Sequence, residues 1–228
     1  MIGGFWGKPT ANMNWCEADY IYTIYLAELF NCLSSLCISL WGLYGIYKHN
    51  LFTEPRFFIA FFMFIIISFG SFLFHATLIR EYQLADELPM LWANSVFIYI
   101  CLSMHDKPGH NRFLSIMFLT IVTVTVTTLV LLRPENQDIF LISYATGILV
   151  LALFGIGLVN NSKVSHLFLA GMGTYGFGFV LWTIERLICP IVQPLQLHAF
   201  WHLCAGSGMY ELNKQLSLSL SLSLLVLL

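Results

Sequence analysis

Charge is scarce in this chain. Asp, Glu, Lys and Arg make up 10% of its 228 residues, where soluble domains carry roughly 25%. A soluble domain of this length keeps about a third of its surface in water, so the shortage excludes a soluble enzyme with a large core. Basic residues form no run, and the net charge is -2. That leaves no basic surface of the kind that binds nucleic acid. A cleavable leader is also missing as an expectation. The stretch before Ile21 carries Lys8, Glu17 and Asp19 and has no continuous apolar segment, so the first hydrophobic segment is expected to act as its own insertion signal.

Apolar residues take the place of charge. They make up 58% of the chain, and the mean hydropathy is +0.79. A helix needs ~20 mostly apolar residues to cross a bilayer. Seven segments qualify: Ile21–Tyr47, Phe57–Leu78, Leu84–Met104, Phe113–Leu132, Ile139–Val159, His166–Cys189 and one starting at Leu197. Polar punctuation separates them: KHNLFTEPR, IREYQ, HDKPGHNR, RPENQD, NNSK and PIVQP. Within the fourth, IVTVTVTT alternates like a strand. It is still expected to be helical, because a lone strand cannot satisfy its backbone in lipid. The fold class is therefore an all-α integral membrane protein, a seven-transmembrane helix bundle. Lys8, Arg80, Arg133 and Arg186 fall on the N-terminal side, and Lys48, Arg56, Lys107, Arg112, Lys163 and Lys214 on the other. The excess of positive charge on the second side predicts a luminal or extracellular N-terminus.

That topology gathers the ionisable residues. His75 lies near the exit of the second span, with Ser71 one turn away on the same face. Asp86 enters the third span from the same side, and His198 and His202 sit in the first turns of the seventh. Three imidazoles at one level suggest a metal, and H-x3-H on a helix aims both rings one way, as zinc requires. With an open position the site would be catalytic. Asp86 could then move a proton, and Ser71 could donate to an oxyanion. The competing interpretation is hydrogen bonding between helices by the histidines, with Asp86 as a carboxylate favoured at a helix start.

A second polar patch, NWCEAD, spans residues 14–19, and Glu28 follows. Asn14, Glu17, Asp19 and Glu28 offer oxygens of the kind a hard cation such as calcium takes. Spacing alone favours acidic residues at a helix N-terminus instead. Cys16 and Cys189 face the same side of the bundle, so a disulfide between them is geometrically open. Cys32, Cys37, Cys101 and Cys204 lie in or at spans and read as small core residues.

Taken together, WGKPTANMNWCEADY, AELFN, SFLFHATL, QLADELPMLW and HAFWH resemble the alkaline ceramidase family in order and spacing, from Trp6 to about Tyr210. More distantly the chain is similar to the seven-span zinc proteins of the adiponectin and progestin receptor superfamily. The resemblance implies hydrolysis of the ceramide amide to sphingosine and a fatty acid. It implies zinc on His75, His198 and His202, with Ser71 and Asp86 catalytic. It also implies calcium on Asn14, Trp15 through its backbone carbonyl, Glu17, Asp19 and Glu28, which reverses the preference from spacing. Asn14 stands where the family has Asp and Asp19 where it has Asn, so the total charge is unchanged. A Cys16–Cys189 disulfide also fits the family. The implied partners are ceramide and membrane lipid, with no nucleic acid and no obligate protein partner. The implied location is the endoplasmic reticulum, Golgi or plasma membrane.

The domain expectation is a seven-span unit over residues 1–210, including the calcium-binding segment 12–28, and an atypical tail over 211–228. From Leu197 to Tyr210 the chain makes only about 21 Å of helix at 1.5 Å per residue, short of the ~30 Å hydrocarbon layer. Glu211, Asn213 and Lys214 then precede SLSLSLSLLVLL, a low-complexity alternation that a repeated TC dinucleotide would encode. The tail therefore reads as a replacement end for the seventh span. Two other functions remain open: a lipid sensor or receptor-like isoform with weak or lost hydrolysis, and a transporter using His and Asp as a proton relay. The transporter lacks the broken helices in matching halves that such proteins use.

Overall fold

The computed structural model describes residues 4–48, 54–105, 111–159 and 165–226. Lys107 and Lys163, used above in the charge count, lie outside them. Seven helices follow one another: α1 Leu29–Lys48, α2 Pro55–Thr77, α3 Arg80–His105, α4 Phe113–Leu132, α5 Gln137–Val159, α6 Ser165–Val192 and α7 Leu197–Val226, with a single 3-10 turn at Gln193–Leu195 before α7. The first six are long and apolar enough to cross a membrane, the make-up of a multi-pass helical bundle. α7 is longer still but carries Glu211, Asn213, Lys214 and Gln215 mid-helix.

α7 is the central element and packs on α6, α1, α2 and α3. The apolar core fills the bundle between the first half of α2 and its neighbours, where Phe57, Phe61, Phe64, Phe97, Tyr210 and Leu216 are buried together. α4 stands at the edge against α3 and α5, and Val130 is its one buried residue. Its strand-like IVTVTVTT is helical. Thr123 and Thr128 donate their hydroxyls to the carbonyls of Leu119 and Val124, at 2.7 and 2.8 Å. This back-bonding satisfies the polar groups inside the helix itself, so the alternation needs no strand partner.

α1 begins at Leu29, not at Ile21. The apolar run before it doubles back: Tyr20 takes a left-handed φ of 56° and donates its N–H to Ala27 O at 2.8 Å, and Ala27 donates to Ala76 O at 3.0 Å. Ile21, Tyr22, Ile24 and Tyr25 are left exposed, as aromatic and aliphatic residues are at a membrane–water boundary. Hydropathy alone cannot separate such a surface run from the start of a span. α3 begins earlier than Leu84 because Gln83 and Glu87 turn inward, with Gln83 Nε2 donating to Glu87 Oε1 at 2.7 Å. α6 passes Cys189 and reaches Val192 with a kink at Ile188 (φ -132°, ψ 37°), two residues before Pro190, whose ring cannot sit over an unbroken helical turn. α7 does not break at Tyr210. Leu212, Asn213, Gln215 and Leu216 are all buried, so the two amide side chains face the bundle, while Glu211 and Lys214, 3.2 Å apart, stay partly exposed.

The link between α2 and α3 is only Leu78 and Ile79, and Leu78 closes α2 in the left-handed conformation. The tight turn presses the two helices together at Gly70. A Cβ placed there would lie 2.1 Å from Ala85 O. Gly70→Ala is therefore expected to lower stability by about 1–3 kcal/mol, the usual range for overpacking. Thermal unfolding in detergent checks this, and an unchanged midpoint would contradict the close approach.

Candidate metal centre and its cavity

The α2–α3 turn and the first turns of α7 bring three imidazoles together. His75 comes from α2, and His198 and His202 come from α7 at i, i+4. One donor atom from each lies within 4.8 Å of the others. Among the described residues they are the one group of three or more His, Cys, Asp or Glu side chains arranged in this way. All three rings are buried, His75 completely. His75 Nδ1 meets Glu28 Oε2 at 2.5 Å, which leaves Nε2 facing the other rings with no partner. His202 Nδ1 shares a hydrogen bond with Ser34 Oγ at 2.8 Å, and its Nε2 is 3.4 Å from Ser71 Oγ. His198 stacks on the Trp15 ring, centroids 3.9 Å apart, and its Nδ1 has no partner. Buried ring nitrogens without partners are costly. A cation accepting their lone pairs would remove that cost. The carboxylate behind His75 is the outer contact that orients metal-binding imidazoles in general. The residues present fit a metal ion.

His198 and His202 open onto a cavity of about 310 Å³, with His75 behind them. Its walls are mostly apolar, from Phe64, Phe97, Phe140 and Trp201, with Ser71 and Asp86 placed at the histidine end. An acid, a hydroxyl and a tri-histidine group beside an apolar space can position a polar linkage of an amphiphile while apolar parts of it lie along the cavity.

The acidic segment lies directly beside this centre. Asn14 Nδ2 donates to Asp19 Oδ2 at 3.0 Å, and Asp19 Oδ1 is buried without a partner. Trp15 N donates to Glu28 Oε1 at 3.0 Å. Glu17 turns elsewhere: its two oxygens accept the N–H groups of Phe30 and Asn31, at 2.8 and 2.9 Å, and so cap α1 from a distance. Burial pushes the Glu17 and Asp19 carboxyls above their ordinary range. Cys16, between Trp15 and Glu17, is joined by a disulfide to Cys189 at the α6 kink, with Cα atoms 5.4 Å apart. Cys32, Cys37, Cys101 and Cys204 are free.

The ceramidase family model matches residues 7–221 of this sequence. The chain belongs to the alkaline ceramidase family. It is 30% identical to dcd3A of Dictyostelium discoideum over 91% of this chain and 85% of that protein. It is 29% identical to alkaline ceramidase 3 of Mus musculus, over 91% and 83%. It is 28% identical to alkaline ceramidase YPC1 of Saccharomyces cerevisiae, over 92% and 76%.

In this ceramidase-family chain three supporting residues stand out that sequence reasoning did not single out in these positions. Ser34 orients His202. Glu28, expected as a helix-start carboxylate or a calcium ligand, also holds His75. Glu185 is almost fully buried, and its carboxylate accepts the N–H of His198 at 2.6 Å and of Cys16 at 3.3 Å. It thus ties α6, α7 and the N-terminal segment together beside the three histidines. A signal for Glu185 was present: a carboxylate within an apolar span is costly and usually functional. Ser34 gives no such signal, since serines in membrane helices commonly bond their own backbone.

Proposed function

We propose that the chain hydrolyses the amide bond of ceramide, giving sphingosine and a free fatty acid, with zinc on His75, His198 and His202. The observation that carries this is the buried tri-histidine group, with orphaned ring nitrogens, at the end of an apolar cavity that also presents Ser71 and Asp86. Zinc, when bound, supplies Lewis acidity and makes a nucleophile available near neutral pH. The protein's own groups do the rest. Asp86 takes up the proton of the attacking water at its carboxylate and returns it to the departing amine nitrogen. Ser71 donates its hydroxyl to the carbonyl oxygen as charge gathers there. The aromatic walls hold the two chains and keep bulk water away.

Ceramide enters sideways from the lipid. α5 and α6 both line the cavity yet touch each other sparsely, so chains can pass between helices. Asn14, the Trp15 carbonyl, Asp19 and Glu28, with Glu17 if its carboxylate bridges from the α1 N–H groups it accepts, would hold calcium, which would brace the start of α1 against the histidines. The unpartnered Asp19 Oδ1 and the sharing of Glu28 between Trp15 and His75 support that placement. The N-terminus faces the lumen or the outside, where a disulfide such as Cys16–Cys189 persists. α7 is the seventh crossing. Residues 1–210 carry every reacting group, and the sequence after them is an atypical tail, whose described part, 211–226, continues that helix. The membrane is that of the endoplasmic reticulum, Golgi or cell surface.

Ceramide turnover by the purified full chain tests this. Turnover is expected to fall to background after treatment with a zinc chelator, to return on adding zinc, and to drop partially with a calcium-selective chelator. Turnover that survives complete zinc removal would contradict the metal assignment. No turnover by zinc-loaded protein would contradict the hydrolase and favour the lipid-sensor alternative.

A further inference from the structure

Among the described residues, three side chains with full charges line the cavity: Asp86 and Glu87 from α3, and Arg186 from α6. The two acids are committed. Asp86 is the proton carrier of the proposed hydrolysis. Glu87 accepts from Gln83 and Gln137 and lies 3.8 Å from Arg80. Arg186 has no carboxylate partner among the described residues. Its neighbour Glu185 is turned to the N–H groups of His198 and Cys16. The guanidinium lies 5.8 Å from the centroid of the Trp182 ring. Trp182 in turn lies 5.4 Å from Trp15, and Trp15 stacks on His198 at 3.9 Å. A continuous aromatic wall therefore leads from the metal centre to one uncommitted cation.

We propose that Arg186 is the carboxylate anchor of this cavity, holding the head of a long-chain fatty acid whose tail lies along the apolar walls. The proposal rests on the amide-hydrolysis reading, which makes such an acid a product. Ceramide is neutral, so nothing in it calls for a cation. Hydrolysis creates a carboxylate beside His198, two aromatic rings away from the guanidinium. A guanidinium fork matches a carboxylate in geometry and binds it through paired charge-assisted hydrogen bonds. An aromatic face beneath it holds the fork in place. Arg186 thus separates product from substrate by charge alone. The same chemistry would suit the phosphate of an anionic phospholipid, and the test separates the two.

The measurement is binding of radiolabelled palmitate to the purified full chain in phosphatidylcholine nanodiscs at pH 8, with unlabelled palmitate, hexadecanol and phosphatidylglycerol as competitors. Palmitate is expected to compete at about a tenfold lower concentration than hexadecanol, the effect of one charge-assisted contact. Phosphatidylglycerol is expected to compete no better than hexadecanol. Arg186→Gln is expected to bring the palmitate preference within about twofold, and Arg186→Lys to keep part of it. The side chain is exposed, so folding is expected to be unaffected, which size-exclusion profiles and thermal midpoints verify. Undiminished preference in Arg186→Gln, or no palmitate binding to the unaltered chain, would overturn the anchor. Equal competition by phosphatidylglycerol would overturn the fatty-acid assignment. Arg186-dependent palmitate binding in a chain that cleaves no ceramide would refute the hydrolase while leaving the site, so the two failures are distinguishable.

Discussion

Replacing His202 with alanine is expected to reduce ceramide turnover by about a thousandfold or more. A catalytic metal contributes several kcal/mol to the transition state, and each 1.36 kcal/mol is tenfold in rate. His202 Nε2 points at the shared centre because Nδ1 is tied to Ser34, so alanine removes a ligand that no neighbour can replace. Ser34→Ala should behave differently. It frees the ring without deleting it, and the loss should be about 10–100-fold in metal affinity. Titration of both variants with zinc separates the cases: excess metal restores Ser34→Ala towards normal turnover and leaves His202→Ala inactive. Full activity in His202→Ala would remove this residue from the site.

The second large effect is expected at Glu28. Its side chain is completely buried and accepts from Trp15 N and Asn31 Nδ2, each at 3.0 Å, while facing His75 Nδ1 at 2.5 Å. Alanine would strand all three partners in the interior, and breaking a buried network in this way costs about 3–5 kcal/mol. Glu28→Ala should therefore lose both stability and metal, seen as a lowered thermal midpoint and reduced zinc content. Glu28→Gln keeps an acceptor of the same shape. It should fold and yet bind zinc about 10–100-fold more weakly, since a neutral amide orients His75 less firmly. A Glu28→Ala protein with an unchanged midpoint and unchanged zinc would show that the contact to His75 carries no weight.

The convergence of His75, His198 and His202 was legible from topology alone. The end of α2 and the start of α7 lie at one level, and a four-residue spacing fixes both α7 rings on one face. Helix character in IVTVTVTT was legible too, because lipid forbids the alternative. The start of α1 was not. Ile21–Ala27 is apolar enough for a span, and only long-range contacts show it folded back: Ala27 and Glu28 bonded to the end of α2, and Glu17 capping α1. The burial of Asn213 and Gln215 was equally hidden. Sequence counts them as polar residues at membrane depth, and only the packing of α7 at the centre of the bundle shows where they point. The roles of Glu28 and Glu185 sit between these cases. Both announced themselves as carboxylates in or next to apolar segments, but their partners come from four separate parts of the chain.

Metal analysis of the purified, active full chain, beside His75→Ala, tests the central claim most directly. One zinc per chain in the unaltered protein, and none in His75→Ala, is the result expected. Active protein that contains no zinc, or His75→Ala that keeps it, would contradict the account.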